Sequence, residues 1–232
     1  MARPKDALHF RPMGDRLGRL WDFGDLDVSE RRFRAQLKLE TSDEGRAEVL
    51  TQLARVDALG GRFSEGEERI NQAERLAGSS PIAHVRIHLE RGRLLRSAGN
   101  AAEALPLFTV AYELAIASGE EFLAADAAHM AALAATDRQG RLEWTRVGMG
   151  IAERSADRDV AYWMGPLLNN LGCEYADAGE HEAALEAFQR ALEARLRFPE
   201  NPEAIDQATE SVAEELIALG RTAEAQRLLS SR

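Results

Sequence analysis

Cysteine is nearly absent from this 232-residue chain, where Cys173 stands alone. No intrachain disulfide can form, and a reducing compartment such as the cytoplasm is implied. Lysine is almost as scarce. Lys5 and Lys38 are the two copies and every other basic residue is arginine. With the high alanine content, that bias points to a GC-rich bacterial genome. Basic charge is in deficit overall: the net charge is −10, whereas a general nucleic-acid binder would be basic, so no nucleic-acid partner is expected. No apolar run approaches the roughly 20 residues of a membrane helix, so no membrane partner is expected. The first residues scatter their charges and hold no apolar stretch of the secretory kind.

Catalytic signatures are missing as well. There is no phosphate-binding glycine loop, no G-x-S-x-G elbow and no quartet of zinc ligands. Asp22-Phe23-Gly24 spells the metal-binding tripeptide of kinases, but the glycine-rich loop, the lysine and the catalytic loop that give it meaning are absent. Glu and Asp are abundant yet scattered, as solubility requires. No catalytic residue, no cofactor and no metal is expected, and the chain reads as a non-enzyme. At 45% hydrophobic and 29% charged it reads as soluble and globular.

What is present is a repeat. Leu168 to Leu192 reads as two helices joined at Gly179, with Leu171, Gly172, Tyr175, Ala184, Phe188 and Ala191 at fixed offsets. Turn glycines recur at Gly61, Gly99, Gly140, Gly179 and Gly220, at steps of 38, 41, 39 and 41 residues by difference. A small residue sits in each first helix: Ala54, Gly92, Gly172 and Ala213, with Leu133 as the exception. A small residue opens each second helix: Gly66, Ala104, Thr145, Ala184 and Ala225. A bulky one follows four later: Ile70, Phe108, Met149, Phe188 and Leu229. Ala73, Ala111, Ala152 and Ala191 come next. Small residues let helix backbones approach, and the bulky one fills the hole beside them.

This pattern resembles the tetratricopeptide repeat, whose hairpin carries a Leu-Gly-x-x-Tyr step, a turn glycine and Ala-x-x-x-Phe-x-x-Ala. The copies exceed the usual ~34 residues and look like the long-helix variants of kinesin light chain and of bacterial peptide-sensing regulators. The resemblance covers roughly residues 44 to 232 and is weakest in the third copy. It implies an all-α, right-handed α-α superhelix of five helix hairpins plus an N-terminal helix.

Taken in order, residues 1–27 form an N-terminal arm with Pro4, Pro12, Gly14, Gly18 and Gly24 and no clear period. Its Leu17, Leu20, Trp21 and Phe23 are apolar enough to dock on the first hairpin. Docking on the outer end of the stack is favoured; the alternative is that the arm occupies the groove and blocks it. Residues 28–232 form the repeat domain. Ser29 is read as the cap of a lone helix over 29–41, and hairpins follow at about 44–78, 81–117, 120–156, 159–197 and 202–231. Pro81 and Pro202 sit just inside helix starts, where a missing N–H costs nothing. The final helix, with Leu228 and Leu229, is either the cap of the stack or a surface for another chain.

In this architecture the first helices line a concave groove where partners sit. Helical spacing puts Arg55, Arg86, Arg93 and Arg96 in its N-terminal half, with Arg138 and Asn169 further on. Arginine suits bidentate recognition of carboxylates, so an acidic or carboxylate-terminated peptide is one reading. The other is a solvated face, salt-bridged to Glu90 or to Glu67 and Glu68. The kinesin-light-chain resemblance implies that Asn169 hydrogen-bonds a peptide backbone, although Thr51, Leu89, Met130 and Glu210 replace asparagine in that column. His84 and His88 have a spacing that can bind a metal, but no third ligand is evident, and packing or surface roles are favoured. Cys173 reads as a small groove-lining residue, and Trp144 and Trp163 as fillers of gaps.

The function expected is a non-catalytic scaffold or regulatory adaptor that binds a protein or peptide segment in its groove. The alternatives are a self-assembling homodimer, through the C-terminal hairpin or the arm, and a peptide-sensing regulatory module.

Overall fold

The computed structural model describes residues 15–230. Pro4, Pro12 and Gly14, read above as part of the N-terminal arm, lie outside them. Among the described residues the chain is helical throughout, without strands. A single 3-10 turn at Gly18–Leu20 precedes α1, Leu26–Leu39. The cap of α1 is Asp25, which accepts from Val28 N at 3.0 Å. Ser29, read from sequence as that cap, is instead fully buried. Its Oγ accepts from Asp22 N at 2.7 Å and donates to Asp22 O at 2.9 Å. The helix thus begins three residues earlier than Ser29 suggested, because the aspartate satisfies its first N–H groups.

Five hairpins follow. The first is α2, Asp43–Leu59, with α3, Phe63–Leu76. The second is α4, Pro81–Ser97, with α5, Ala101–Ser118. The third is α6, Glu121–Ala134, with α7, Arg138–Arg154. In the fourth, α8, Arg158–Ala161, leads into α9, Met164–Asp177, which pairs with α10, His181–Leu196. The fifth is α11, Pro202–Ala218, with α12, Thr222–Ser230. Each helix packs on its hairpin partner, and each hairpin on the next, so the core runs as a band along the stack. Among the described residues one helix, α5, is long and apolar enough to cross a membrane; here it packs between α4 and α6.

The small-to-bulky columns explain the close pairs. A Cβ on Gly92 would lie 2.6 Å from the Phe108 ring, and one on Gly172 would lie 2.6 Å from the Phe188 ring. Both phenylalanines are fully buried, each worth about 1.5–3 kcal/mol in apolar burial. The turns at Gly61, Gly99, Gly179 and Gly220 have φ between 73° and 92°, where a side chain is strained.

The third copy departs from this scheme. Gly140 is not its turn: it lies in the first turn of α7, where its N–H donates to the capping Asp137 at 2.8 Å. Extended Ala135 and Asp137 make the connection without a left-handed residue. Met149 is only partly buried. Gly148 is the close-approach position instead, and Leu167 of the next hairpin reaches to 2.7 Å from where its Cβ would be. The continuous helix expected from residue 159 is also broken. Pro166 has no N–H to give to Tyr162 O and its ring crowds that carbonyl, so α8 stops at Ala161 and a turn at Tyr162–Trp163 precedes α9. At the far end α12 is short, and Leu229 is left 38% exposed.

Candidate functional site: the groove between the first helices

The first helices α2, α4, α6 and α9 turn one face each toward a common groove. At its N-terminal end that groove is filled by the chain itself. Leu17 and Trp21 pack with Phe33 of α1 and with Val49, Leu53 and Val56 of α2. Trp21 Nε1 donates to Gln52 Oε1 at 3.0 Å, and Trp21 stacks on Phe23 with ring centroids 4.7 Å apart. Arg16 reaches Glu40 at 2.6 Å and Glu48 at 3.3 Å. Asp15 crosses to α4 and meets Arg86 at 2.5 Å. The arm therefore does more than close the outer end of the stack. Its apolar residues seal the crevice of α1 and α2, while Asp15, Trp21 and Phe23 wall a cavity of about 30 Å³ shared with α4, α6 and Trp163.

Of the four arginines expected in this half, Arg55, Arg86 and Arg93 lie here, and two of them are answered internally. Arg86 is clamped between Asp15 and Glu48, the latter at 3.2 Å. Arg93 is clamped between Glu90, at 2.6 Å, and Asp126. Burial opposes the charge on both guanidiniums, but the paired carboxylates outweigh it and hold both pKa values above the usual range. Arg55 is different. Its guanidinium lies over the rings of Trp21 and Phe23, 5.3 and 5.5 Å from their centroids. No carboxylate among the described residues forms an ion pair with it. Burial, and then the neighbouring Arg93, push its pKa down, against the pull of Glu90, Asp126 and Asp15. Glu90 itself keeps one buried oxygen, Oε2, without a hydrogen-bond partner beside this cavity.

Further along, a second depression of about 260 Å³ lies between α4, α6, α7 and α9, with Arg96, Asn170, Cys173, Glu174 and Asp177 on its walls. Here Asn170 Nδ2 meets His129 Nδ1 at 3.0 Å and Arg141 pairs with Glu174 at 2.7 Å. Asn169 is partly buried, its amide 3.9 Å from Cys173 Sγ. Arg138 sits at the edge, exposed and paired with Glu180 at 2.8 Å. Arg55 and Arg86 thus line one cavity, and Arg93 pairs with two of its carboxylates, while Arg96, Arg138 and Asn169 lie apart from it. The last wall, α11, shows a stripe of Glu203, Asp206, Glu210 and Glu214 at helical spacing, all exposed.

The contributors that sequence spacing did not single out are Asp15, Glu48, Gln52, Phe122 and Asp126. Spacing within one helix reports which way a residue points but not what faces it from the next helix. Trp163 packs with Phe122 and His129, at ring distances of 5.7 and 5.4 Å, and Trp144 packs edge-on to Tyr112 at 5.3 Å. His84 is engaged with Gly78 O at 3.0 Å. Among the described residues no three His, Cys, Asp or Glu side chains come together as a metal site.

Comparisons agree with this geometry. The tetratricopeptide repeat model matches residues 165–197, the fourth hairpin. None of the curated proteins matches the sequence. Among solved structures, BtubC (BKLC) from P. vanneervenii is similar with a TM-score of 0.69 and 17% identity, over 93% of this chain and 89% of that one. A Rap protein complexed with Competence and Sporulation Factor gives 0.63 and 13%, over 90% and 69%. The apo form of RapI gives 0.60 and 14%, over 90% and 94%. The molecule is a helical solenoid with a tetratricopeptide repeat in its fourth hairpin.

Proposed function

We propose that the chain is a non-catalytic scaffold that receives a protein or peptide segment in the groove lined by α4, α6, α9 and α11. The observation that carries this is the arm. Residues 15–23 already sit against the first helices as a peptide would, with ion pairs to Glu48 and Arg86, an indole hydrogen bond and stacked rings. A preformed groove lowers the ordering cost of binding a second segment in the stretch beyond. The similar Rap structure in complex with Competence and Sporulation Factor fits this reading.

Arg55, Arg96 and Asn169 are the contacts we propose for such a segment, with Arg138 at the rim. Arg86 and Arg93 are assigned to holding the wall, because each already has two carboxylates. With those two cations neutralised, an acidic or carboxylate-terminated partner is less favoured than the arginine count suggests. The test is a peptide array probed with the intact chain, with Asn169→Arg in the groove, and with Val110→Arg on the outward side of α5. Spots lost with the first variant and kept with the second place the partner in the groove. Spots indifferent to Asn169→Arg sink the reading.

One feature favours a second reading, self-assembly through the last hairpin. Leu192, Leu196, Val212, Leu216 and Leu228 line a broad apolar depression there, with Leu196 56% exposed. A concentration-dependent mass by light scattering, abolished by Leu196→Glu, would support it. A constant monomer mass would remove it.

A further inference from the structure

Two charged groups on the wall of the N-terminal cavity are left half answered by the protein itself. Arg55 is the first. Its guanidinium rests on the Trp21 and Phe23 rings, and among the described residues its five N–H donors find no hydrogen-bond acceptor. Glu90 is the second. One of its oxygens accepts from Arg93 at 2.6 Å. The other, Oε2, has no hydrogen-bond partner, although the residue is only 2% exposed. A buried carboxylate oxygen in that state calls for a donor. Both residues line the same cavity of about 30 Å³.

The surroundings select what fits there. Asp15, Glu90 and Asp126 on the walls are balanced by Arg55 and Arg86, and by Arg93, which is clamped to Glu90 and Asp126. Glu48, the other partner of Arg86, is answered by Arg16. An entering ion would therefore bring an uncompensated charge into a buried place. An anion would meet Glu90, and a cation would meet Arg55. A neutral group that accepts on one side and donates on the other satisfies both. Aromatic rings make much of the remaining wall. Trp21 and Phe23 stack in parallel planes at 4.7 Å, and Phe122 lies 5.7 Å from Trp163. Such walls suit a flat head group. Since one water takes about 10–15 Å³ of such space, the cavity admits about two polar heavy atoms, which excludes a phosphate or a sugar.

We propose that this cavity is a socket for a primary carboxamide, the head group of an Asn or Gln side chain on the segment bound in the groove. Its carbonyl oxygen accepts from the Arg55 guanidinium and its NH₂ group donates to Glu90 Oε2. This deepens the scaffold reading and rests on it, by naming the chemistry required at one position of the partner. The stem of the side chain enters past Asp15, Phe23, Arg55 and Phe122, the partly exposed members of the lining. Selectivity follows from the same two contacts. Asp or Glu would set a carboxylate against Glu90, and Lys would set an ammonium against Arg55. Leu or Met would leave both groups unanswered. A site built to hydrogen-bond one head group rejects the analogue that lacks it far more strongly than an apolar pocket rejects a misfit methylene.

The test titrates the full chain with three probes of one size, propionamide, propionate and propylammonium, and follows the indole N–H signals by NMR. Trp21 and Trp163 stand on the cavity wall, whereas Trp144 does not and serves as the control. The expected result is a saturable shift of the Trp21 and Trp163 signals with propionamide alone, and none at Trp144. Glu90→Gln keeps an oxygen for Arg93 and turns an NH₂ toward the cavity, so it should reverse the preference in favour of propionate. Arg55→Met leaves the Arg93 clamp untouched and should weaken propionamide at least tenfold; it decides the matter should Glu90→Gln not fold. Signals unmoved by propionamide, or moved equally by all three probes, would overturn the proposal. A preference for propylammonium would overturn it in favour of a cation site, and an unchanged preference in Glu90→Gln would remove Glu90 from the contact. Two further probes separate the sources of the carboxamide. Ala-Gln-Ala blocked by acetyl and N-methylamide groups should bind more tightly than propionamide, and tighter binding of free glutamine would overturn the peptide origin. Asn169 is no part of this cavity, so the socket can fail while the array still loses its spots with Asn169→Arg, and the reverse.

Discussion

Asp15 and Arg86 lie 71 residues apart in sequence and meet at 2.5 Å, with side chains only 9% and 7% exposed. The pair fastens the arm to the second hairpin. Removing one partner of a buried pair costs about 3–5 kcal/mol, because the other charge is left uncompensated. Glu48 still contacts Arg86 at 3.2 Å, so Asp15→Ala should destabilise by about 3 kcal/mol, the low end of that range. Urea unfolding monitored by tryptophan fluorescence measures it. Asp15→Ala combined with Arg86→Met should be more stable than Asp15→Ala alone, since it removes the stranded charge. A double variant no better than the single would show that the pair is not electrostatically isolated.

Two groups set the response to pH. Burial, and then the charges of Arg91 and His84, hold His88 below its ordinary 6.5, against the pull of Glu74. A base depressed by folding binds its proton more readily when unfolded. Stability is then fully present above 6.5 and declines as pH falls from there toward the folded value. Glu40 works lower. Despite burial, hydrogen bonds from Arg16 and Gln36 hold its carboxyl below 4.5, so its contribution is present above 4.5 and lost as pH falls through the folded value. The urea midpoint should drop between about pH 7.5 and about pH 5 in the intact chain, around the histidine range, and less in His88→Leu. Equal slopes in both proteins would remove His88 as the cause. In more acid solution, Arg16→Ala should show a weaker pH response of the Trp21 fluorescence than the intact chain.

Much of the fold was legible because it is local and periodic. Gly92 with Phe108 and Gly172 with Phe188 are helix-pair contacts written at fixed offsets, and the family match falls on the copy where the columns are cleanest. The third copy was misread because Asp137 can cap a helix that Gly140 seemed to precede, and because Pro166 acts on the residue four before it. The site was legible only in part. Helical spacing put Arg55, Arg86 and Arg93 on one face, and named Glu90 among their partners. It proposed Glu67 as well, which pairs instead with Arg91 at 3.1 Å. Asp15, Glu48 and Asp126 reach the arginines from other elements, and no periodicity within a helix records such a meeting.

The column rule itself can be tested at Gly172. An alanine there gains about 1 kcal/mol of helix propensity. Its Cβ, however, would stand 2.6 Å from a fully buried ring that has no flexible end to withdraw. Overpacking of this kind costs about 1–3 kcal/mol, so Gly172→Ala should be net destabilising, and Phe188→Leu in the same chain should relieve part of the loss. Stabilisation by Gly172→Ala in thermal unfolding would mean that α9 and α10 sit further apart than described. Gly61→Ala makes a useful contrast: its Cβ meets nothing, and any cost comes from φ +73° alone.

The junction of the fourth and fifth hairpins turns on one hydroxyl. Tyr162, in the turn that Pro166 enforces, accepts hydrogen bonds from Arg195 Nη1 at 2.9 Å and from Asn201 Nδ2 at 3.3 Å. All three side chains are buried, and Asn201 also caps α11 by accepting from Ala204 N. The turn before α9, the end of α10 and the start of α11 are therefore tied through a single oxygen. Tyr162→Phe keeps the ring and its edge contact with Phe198 at 5.2 Å but leaves a buried guanidinium and an amide without their acceptor, at a cost of about 1–3 kcal/mol. In a solenoid each repeat is held by its neighbours, so a weakened interface uncouples what lies beyond it. Hydrogen exchange should then quicken in α11 and α12 while α4 and α5 keep their protection, and the urea m-value should fall as unfolding loses cooperativity. Uniformly faster exchange along the whole chain would instead mean that the stack unfolds as one unit and that the junction is no weaker than its other interfaces.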